Sequence, residues 1–109
     1  MCIRDSTIPI DFYTESNNCD GVCQLFGNVW CWCSDRIYPY DGFVIDPIYR
    51  EMSYPYFGFK RILRGASFAV PDFMISSTYR NAQLPDCRHQ YTGFRVVDNW
   101  FISYVHQCL

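Results

Sequence analysis

Turn-forming residues interrupt the alternation of hydrophobic and polar positions at short intervals along the chain. Asp-Gly pairs at residues 20–21 and 41–42 and a Thr-Gly pair at residues 92–93 are typical of turns. Such breaks leave pieces of roughly 8–12 residues, a spacing that suits short strands and structured loops. Because long helical periodicity is absent, the pattern predicts an irregular α+β domain with many loops.

Four of these pieces have the composition of β-strands. Residues 29–33 and 61–64 are short and rich in apolar side chains, and residues 94–97 follow a glycine. Residues 100–105 are rich in aromatic and β-branched side chains, which are enriched in strands. A short helix is predicted near residues 21–25.

The alternation of side chains along residues 29–33 predicts two different faces. In an extended strand, Val29, Cys31 and Cys33 lie on one face. Trp30 and Trp32 then lie on the other. Large aromatic side chains dominate small cores, so we expect both tryptophans to belong to the core.

Residues 35–59 are predicted to form one long ordered loop. The segment contains three prolines, two glycines and eight aromatic residues, a composition that argues against regular secondary structure. We expect aromatic rings, rather than a ladder of backbone hydrogen bonds, to hold the loop in place.

Composition excludes several functional classes. The 109 residues allow one domain; half are hydrophobic and 19% are aromatic, which is too apolar for a disordered chain. A net charge of −2 gives no electrostatic reason to expect a nucleic-acid partner or an anionic membrane surface. No apolar run approaches the ~18 residues that a membrane span needs, so we expect no membrane association.

The seven cysteines cannot all pair within one chain, because their number is odd. Residues 1–10 lack the apolar central region of a signal peptide. We therefore interpret the cysteines as mostly free thiols in a reducing compartment, which predicts a cytoplasmic protein.

Four cysteines between residues 19 and 33 raise the question of a zinc site. The three residues between Cys19 and Cys23 match the spacing of zinc ligands, but the single residue between Cys31 and Cys33 is too short a spacer. We expect these cysteines to behave as small hydrophobic residues instead.

Three motifs occur in the order and spacing of a known family. Residues 21–35 read GVCQLFGNVWCWCSD, residues 61–68 read RILRGASF, and YRN at residues 79–81 precedes GFRVV at residues 93–97. They resemble the "G-N-V-W-E-W", "R-V-L-R-G-G-S-F/W" and "F/Y-R-N … G-F-R" motifs of the formylglycine-generating-enzyme (sulfatase-modifying-factor) domain family. The resemblance extends over residues 20–97.

This resemblance divides the chain into three parts. Residues 7–97 correspond to the C-terminal part of such a domain. Residues 1–6 look unrelated to it and resemble adapter-derived starts of translated metagenomic reads, so we interpret them as an artefactual start. Residues 98–109 extend past the usual end of the family as a tail of uncertain origin.

Two further segments narrow the resemblance to one branch. Residues 38–43 read YPYDGF and residues 46–53 read DPIYREMS, and both resemble an insert that is typical of ergothioneine and selenoneine synthases. The resemblance implies an irregular, loop-rich, C-type-lectin-like α+β fold with a small twisted antiparallel sheet. It also implies the C-terminal substrate-binding or lid domain of a non-heme-iron sulfoxide or selenoxide synthase. The alternative is a non-catalytic lectin-like binding or scaffold module.

The cofactor that the resemblance implies is iron(II). In such synthases three histidines of an N-terminal helical domain hold the iron, so we expect this chain not to bind it and to be inactive without that domain. The implied substrates of the full-length enzyme are a small-molecule thiol and a histidine-derived molecule. The expected location is the bacterial cytoplasm.

Tyr40 is the candidate catalytic residue. In ergothioneine synthases a tyrosine of this loop stands beside the iron, and a phenol can donate a proton or a hydrogen bond to a reduced oxygen species. Tyr38 and Tyr49 compete for this assignment, and an ordinary packed ring is the alternative. A catalytic Cys87/His89 pair is less favoured, because neither residue has a recognisable nucleophile context.

Arg80, Asn81 and Gln83 occupy the region that contacts substrate in the family. An amide at position 83 can form hydrogen bonds but adds no charge to pair with an ammonium group. Arg64 and Arg95 are expected to brace loops through backbone carbonyls or nearby carboxylates.

Sulfatase-activating members oxidise their substrate with copper held by two cysteines. Val70 and Ile75 occupy the matching positions here, and neither side chain can ligate a metal. The chain is therefore not expected to be a formylglycine-generating oxidase.

A degenerate calcium site is the last candidate. The glutamate of the "W-E-W" motif is a calcium ligand in the family, and Cys31 replaces it here. Gln24 could offer an amide oxygen, and Gly27 and Val29 could offer carbonyls. Because calcium requires oxygen ligands, we expect its binding to be weak or absent.

Overall fold

The computed structural model describes residues 6–9, 12 and 21–96, and within them it contains a four-stranded sheet. The strands are β1 (Trp30–Arg36), β2 (Arg61–Arg64), β3 (Asn81–Gln83) and β4 (Thr92–Gly93). Three single-turn 3₁₀ helices are Arg50–Met52, Tyr54–Tyr56 and Asp72–Met74, and no α-helix occurs among the described residues. This small sheet with few helices agrees with the predicted loop-rich α+β class.

The strands lie in the order β3-β2-β1-β4, and their directions make the sheet mixed. β2 pairs antiparallel with both β1 and β3, whereas β4 pairs parallel with β1. The prediction of a purely antiparallel sheet is therefore wrong for β4. Residues 84–91 carry the chain from one edge of the sheet to the other, and β4 then enters in the same direction as β1.

A small apolar cluster on one face of the sheet forms the core of the described residues. Leu63 of the central strand β2 is fully buried, and Trp30 and Ala66 are nearly so. Trp32 packs against this cluster, so the prediction that both tryptophans contribute to the core is confirmed. Leu63 faces Trp32 on β1 and Asn81 on β3, which places the cluster beneath the centre of the sheet.

Two of the four predicted strands are confirmed. Residues 61–64 form β2 with the predicted bounds. The strand predicted at residues 29–33 corresponds to β1, which begins one residue later, at Trp30, and continues to Arg36. The strand predicted at residues 94–97 is wrong, because residues 94–96 have no ladder partner and β4 ends just before them. Residue 97 and the strand predicted at residues 100–105 lie outside the described residues.

The helix predicted near residues 21–25 is also wrong. Gly21, Gln24, Gly27 and Asn28 all have positive φ angles, between 52° and 79°. Left-handed residues cannot continue a right-handed helix, so the segment forms a series of bends that leads into β1.

Residues 37–60, called here the aromatic loop, form the long connection between β1 and β2. The Ile37 N–H donates to the carbonyl of Lys60 and the Gly58 N–H donates to the carbonyl of Ile37, both at 2.9 Å, which closes the base of the loop. Inside the loop, Phe43 and Phe57 contact edge to face with ring centroids 5.7 Å apart. Rings and backbone hydrogen bonds therefore both hold the predicted ordered loop.

Gly65 marks the closest approach between the bends at residues 21–28 and the end of β2. Its φ is +92°, and a Cβ atom there would stand 2.5 Å from the carbonyl oxygen of Leu25. The Gly65 carbonyl accepts a hydrogen bond from Gly27 N–H at 2.7 Å. A side chain at Gly65 would therefore push these two segments apart.

Gly65→Ala is expected to lower the free energy of unfolding by about 2 kcal/mol more than Gly42→Ala. Gly42 is a matched control, since its φ is +81° but a Cβ there would meet nothing within 4 Å. In both variants an alanine in the left-handed conformation lowers the free energy of unfolding by about 1–2 kcal/mol. Gly65→Ala adds a clash between the new Cβ atom and the backbone of Leu25. Urea denaturation measures the difference, and equal losses in the two variants would contradict this account.

Candidate functional site

Tyr40 of the aromatic loop lies against Arg80, which directly precedes β3. The guanidinium carbon of Arg80 is 3.9 Å from the centroid of the Tyr40 ring, a cation–π contact. The Nη1 group of the same arginine donates to the carbonyl of Tyr38 at 3.1 Å. The structure thus brings together the predicted catalytic residue and one predicted substrate-binding residue from distant parts of the sequence.

The surroundings of Tyr40 differ from those of a packed core ring. Its side chain is 67% exposed, and within the described part of the chain its ring does not contact the rings of Trp30 or Trp32. Tyr38 and Tyr49 are also exposed, and the ring of Tyr38 lies over Gly58. Of the three competing tyrosines, Tyr40 is the one whose ring contacts Arg80 in the described residues. Its catalytic role stays a prediction.

Asn81 and Gln83 belong to β3 and share the face of the sheet opposite to that of Ala82. The Asn81 amide donates to the side-chain oxygen of Gln90 at 3.1 Å, and Gln83 lies opposite Arg61 on β2. The substrate-binding prediction named three residues as one group. Of these three residues, Arg80 contacts Tyr40. The side chain of Asn81 instead forms a hydrogen bond with Gln90, in the segment that leads to β4.

A cavity of about 80 Å³ lies beside the start of β1, where the degenerate calcium site was predicted. Gln24, Val29 and Cys31 line it, together with Asn28, Gly93, Phe94 and Arg95. Gly27 is buried beside it, with its N–H bonded to Gly65. Arg95 was not predicted in this site, although it belongs to the "G-F-R" motif.

The donors and acceptors around this cavity do not fit calcium. The Gln24 side-chain oxygen accepts a hydrogen bond from the Asn28 amide at 2.6 Å. Arg95 donates to the carbonyls of Cys23 and Gln24 at 2.7 and 2.9 Å, so a fixed positive charge already engages two backbone oxygens. The lining residues include no carboxylate, whereas calcium takes six to eight oxygen ligands, several of them charged.

The positions that hold copper in sulfatase-activating members are apolar in this structure. Val70 and Ile75 pack against the core cluster of Trp30, Leu63 and Ala66. Within residues 6–9, 12 and 21–96, no three His, Cys, Asp or Glu side chains converge on a point that could hold a metal ion.

The same residues include no helix of the length and apolarity that crossing a bilayer requires.

Three of the four cysteines that were considered as zinc ligands lie within the described residues, and Cys19 lies outside them. Cys23, Cys31 and Cys33 are free and partly buried. Burial raises the pKa of the Cys33 thiol, an effect that the positive charge of Arg64 partly opposes. A thiol of raised pKa is a poor metal ligand, because metals bind the thiolate.

The chain is similar to a known protein family and to several named proteins. A family model described as "Sulfatase-modifying factor enzyme 1-like domain" matches residues 3–100. The chain is 34% identical over 89 residues to a hercynine oxygenase of Mycobacterium tuberculosis and 33% identical over 93 residues to one of Mycolicibacterium smegmatis. It is also 28% identical over 79 residues to the uncharacterized protein YfmG of Bacillus subtilis. These matches confirm the family resemblance that the motifs indicate.

The matches cover most of this chain but a small share of each relative. Each hercynine oxygenase match covers 81% of this chain but only 21% or 22% of the relative, and the YfmG match covers 72% of this chain and 16% of that protein. The chain therefore spans about a fifth of the length of the hercynine oxygenases that it matches.

Adding calcium to the unmodified chain is expected to leave its melting temperature unchanged, because the cavity lining has no carboxylate and the Gln24 side-chain oxygen is already bonded to Asn28. Cys31→Glu adds the carboxylate that the cavity lacks, and calcium should then raise the melting temperature, since a ligand that binds only the folded state stabilises it. Cys33→Glu is the matched control, on the same face of β1 but outside the cavity lining. A saturable calcium-dependent rise in the unmodified chain would show that the site is intact.

Proposed function

The chain belongs to the sulfatase-modifying factor enzyme 1-like domain family, and from this premise we propose that it is the C-terminal substrate-binding and lid domain of an ergothioneine-type sulfoxide or selenoxide synthase. The enzyme depends on iron(II), which the proposal assigns to an N-terminal helical domain outside this chain. The substrates are a small-molecule thiol and a histidine-derived molecule. The proposal includes a C-type-lectin-like fold and a location in the bacterial cytoplasm.

The names of the relatives support the reaction class. Two proteins that match 81% of this chain are hercynine oxygenases, and hercynine is a derivative of histidine. The matched region includes the aromatic loop, whose sequence resembles the insert of the ergothioneine and selenoneine synthase branch. The proposal therefore assigns the substrate contacts to this loop and to the residues that lie against it.

The contact between Tyr40 and Arg80 is the observation that carries the proposal. Arg80 packs on the face of the Tyr40 ring at 3.9 Å, so the ring is positioned while its hydroxyl, at the ring edge, stays available to a bound substrate. A guanidinium has five N–H donors, and the bond to Tyr38 uses one of them. In the proposal, Arg80 binds the carboxylate of the histidine-derived substrate, because planar guanidinium groups bind carboxylates in a bidentate manner.

The exposure of the aromatic loop supports the lid role. Val44, Ile48, Met52 and Phe59 are between 71% and 84% exposed, although all four are large hydrophobic residues. All four belong to one loop, and exposed apolar side chains concentrated in one segment are typical of a surface that contacts another protein body. In the proposal this body is the iron-binding domain of the same polypeptide, and its contact excludes water from the site.

In the proposal the Tyr40 hydroxyl donates a proton or a hydrogen bond during the reaction, and iron(II), held by the other domain, would supply the oxygen chemistry. A positioned general acid contributes roughly 10²–10⁴-fold to rate, so its loss is measurable. Arg80 fixes the ring orientation through its contact with the ring face.

Tyr40→Phe in the full-length iron-loaded protein is expected to slow sulfoxide formation by about 10²-fold, or to divert oxygen to thiol oxidation without forming the C–S bond. The substitution keeps the ring and its contact with Arg80, so packing should survive. Tyr38→Phe and Tyr49→Phe are matched controls, because each removes a phenol from the same loop. The rate and the ratio of sulfoxide to oxidised thiol are measured together.

Two results would contradict the proposal in different ways. An unchanged rate and product ratio in Tyr40→Phe would leave Tyr40 with a packing role only. A full-length protein that binds iron and both substrates but forms no sulfoxide would favour the alternative, a non-catalytic binding or scaffold module.

A further inference from the structure

An open groove lies where the start of β2 approaches β1 and the segment that follows β3. Its volume is about 270 Å³, and its lining consists of Trp32, Cys33, Arg61 and Pro85. Neither Tyr40 nor Arg80 lines this groove. The proposed function therefore leaves it without a role.

The walls of the groove are mostly apolar. The indole of Trp32 packs against the core cluster, which fixes its position. Pro85 contributes a rigid ring, and Cys33 contributes a thiol whose pKa is raised by burial, so that it stays uncharged at neutral pH. Sites for small molecules typically combine walls of this kind with a few polar groups that fix the orientation of the ligand.

Arg61 is the charged group of the groove. Its Nη1 group donates to the carbonyl of Ser34, within the bulge of β1, and this bond holds the guanidinium beside β1. A guanidinium has five N–H donors. The remaining donors of this partly buried arginine have no partner among the described residues, so they are available to a ligand.

The neighbours of Arg61 across the sheet do not compensate its charge. Arg36 lies opposite on β1 and Gln83 lies opposite on β3, so one neighbour is positive and the other is neutral. Like charges directly opposite each other on paired strands are destabilising. Asp35 and Asp86, which adjoin the lining residues in sequence, are exposed, and neither pairs with Arg61 in the described part of the chain. A bound anion supplies the missing negative charge.

We propose that this groove binds a small aromatic carboxylate. The carboxylate accepts hydrogen bonds from the available donors of Arg61, which planar guanidinium groups give in a bidentate manner. The ring of the ligand lies between Trp32 and Pro85. The groove volume of about 270 Å³ is below the roughly 300–1,000 Å³ of sites for drug-sized ligands, so the ligand is a small one.

The experiment measures the rate at which iodoacetamide alkylates Cys33 in the full 109-residue chain, with the adducts mapped by peptide mass spectrometry. Benzoate is the probe, and a ligand in the groove covers Cys33 because that residue lines it. Benzoate at ten times its half-maximal concentration is expected to slow alkylation of Cys33 by about tenfold. Cys23 is the internal reference, since it lines neither this groove nor the cavity beside the start of β1.

Two matched ligands separate the contributions of charge and ring. Benzamide keeps the ring and loses the negative charge, whereas acetate keeps the charge and loses the ring. Each is expected to need a concentration about tenfold higher than benzoate for half-maximal protection. Arg61→Gln should weaken protection by benzoate by a similar factor, and Arg88→Gln, outside the groove, should leave it unchanged.

Four results would overturn the proposal: a Cys33 rate that benzoate does not change, equal slowing of Cys23, equal protection by benzamide or by acetate, and an unchanged benzoate dependence in Arg61→Gln. Circular dichroism shows whether Arg61→Gln folds, because the substitution also removes the bond to Ser34. If it does not fold, Arg61→Lys replaces it, since lysine keeps the charge and loses the bidentate geometry. The comparison of benzoate with benzamide in the unmodified chain decides the role of charge without any variant.

Discussion

Hydrogen bonds from arginine side chains to backbone carbonyls supplement the pairing of the four-stranded sheet and hold several of the loops around it. Five of the seven described arginines make such bonds: Arg36, Arg61, Arg64, Arg80 and Arg95. They compensate for a small core, because Leu63, Trp30 and Ala66 are the buried hydrophobic residues within the described part of the chain. Loop carbonyls without a ladder partner need donors, and an exposed bond of this kind contributes roughly 0.5–1.5 kcal/mol.

The same interaction shapes both candidate sites. Arg80 connects the aromatic loop to β3 through the carbonyl of Tyr38 and packs on Tyr40, so the bond that holds the loop also orients the proposed proton donor. Arg95 holds the bends before β1 through the carbonyls of Cys23 and Gln24, in the cavity where a calcium site was considered. Each of these two guanidinium groups therefore holds a loop or bend segment at a candidate site.

The sequence predicted the parts of the fold that local pattern determines. The apolar segment of β2 was placed with its bounds, and Arg64 and Arg95 were expected to brace loops, as their bonds to the carbonyls of Tyr79 and Gln24 confirm. β3 was missed because its Asn-Ala-Gln sequence has low strand propensity, and pairing with β2 overrides that preference. The Tyr40–Arg80 contact joins residues far apart in sequence, so only tertiary structure reveals it.

Guanidinium-to-carbonyl bonds stabilise this loop-rich fold. The most direct measurement is the free energy of unfolding in urea of Arg64→Gln and Arg95→Gln beside Arg88→Gln, whose exposed side chain has no assigned partner among the described residues. The account predicts losses of about 1–3 kcal/mol in each of the first two variants and a change within about 0.5 kcal/mol in the third. Equal, small changes in all three variants would contradict it.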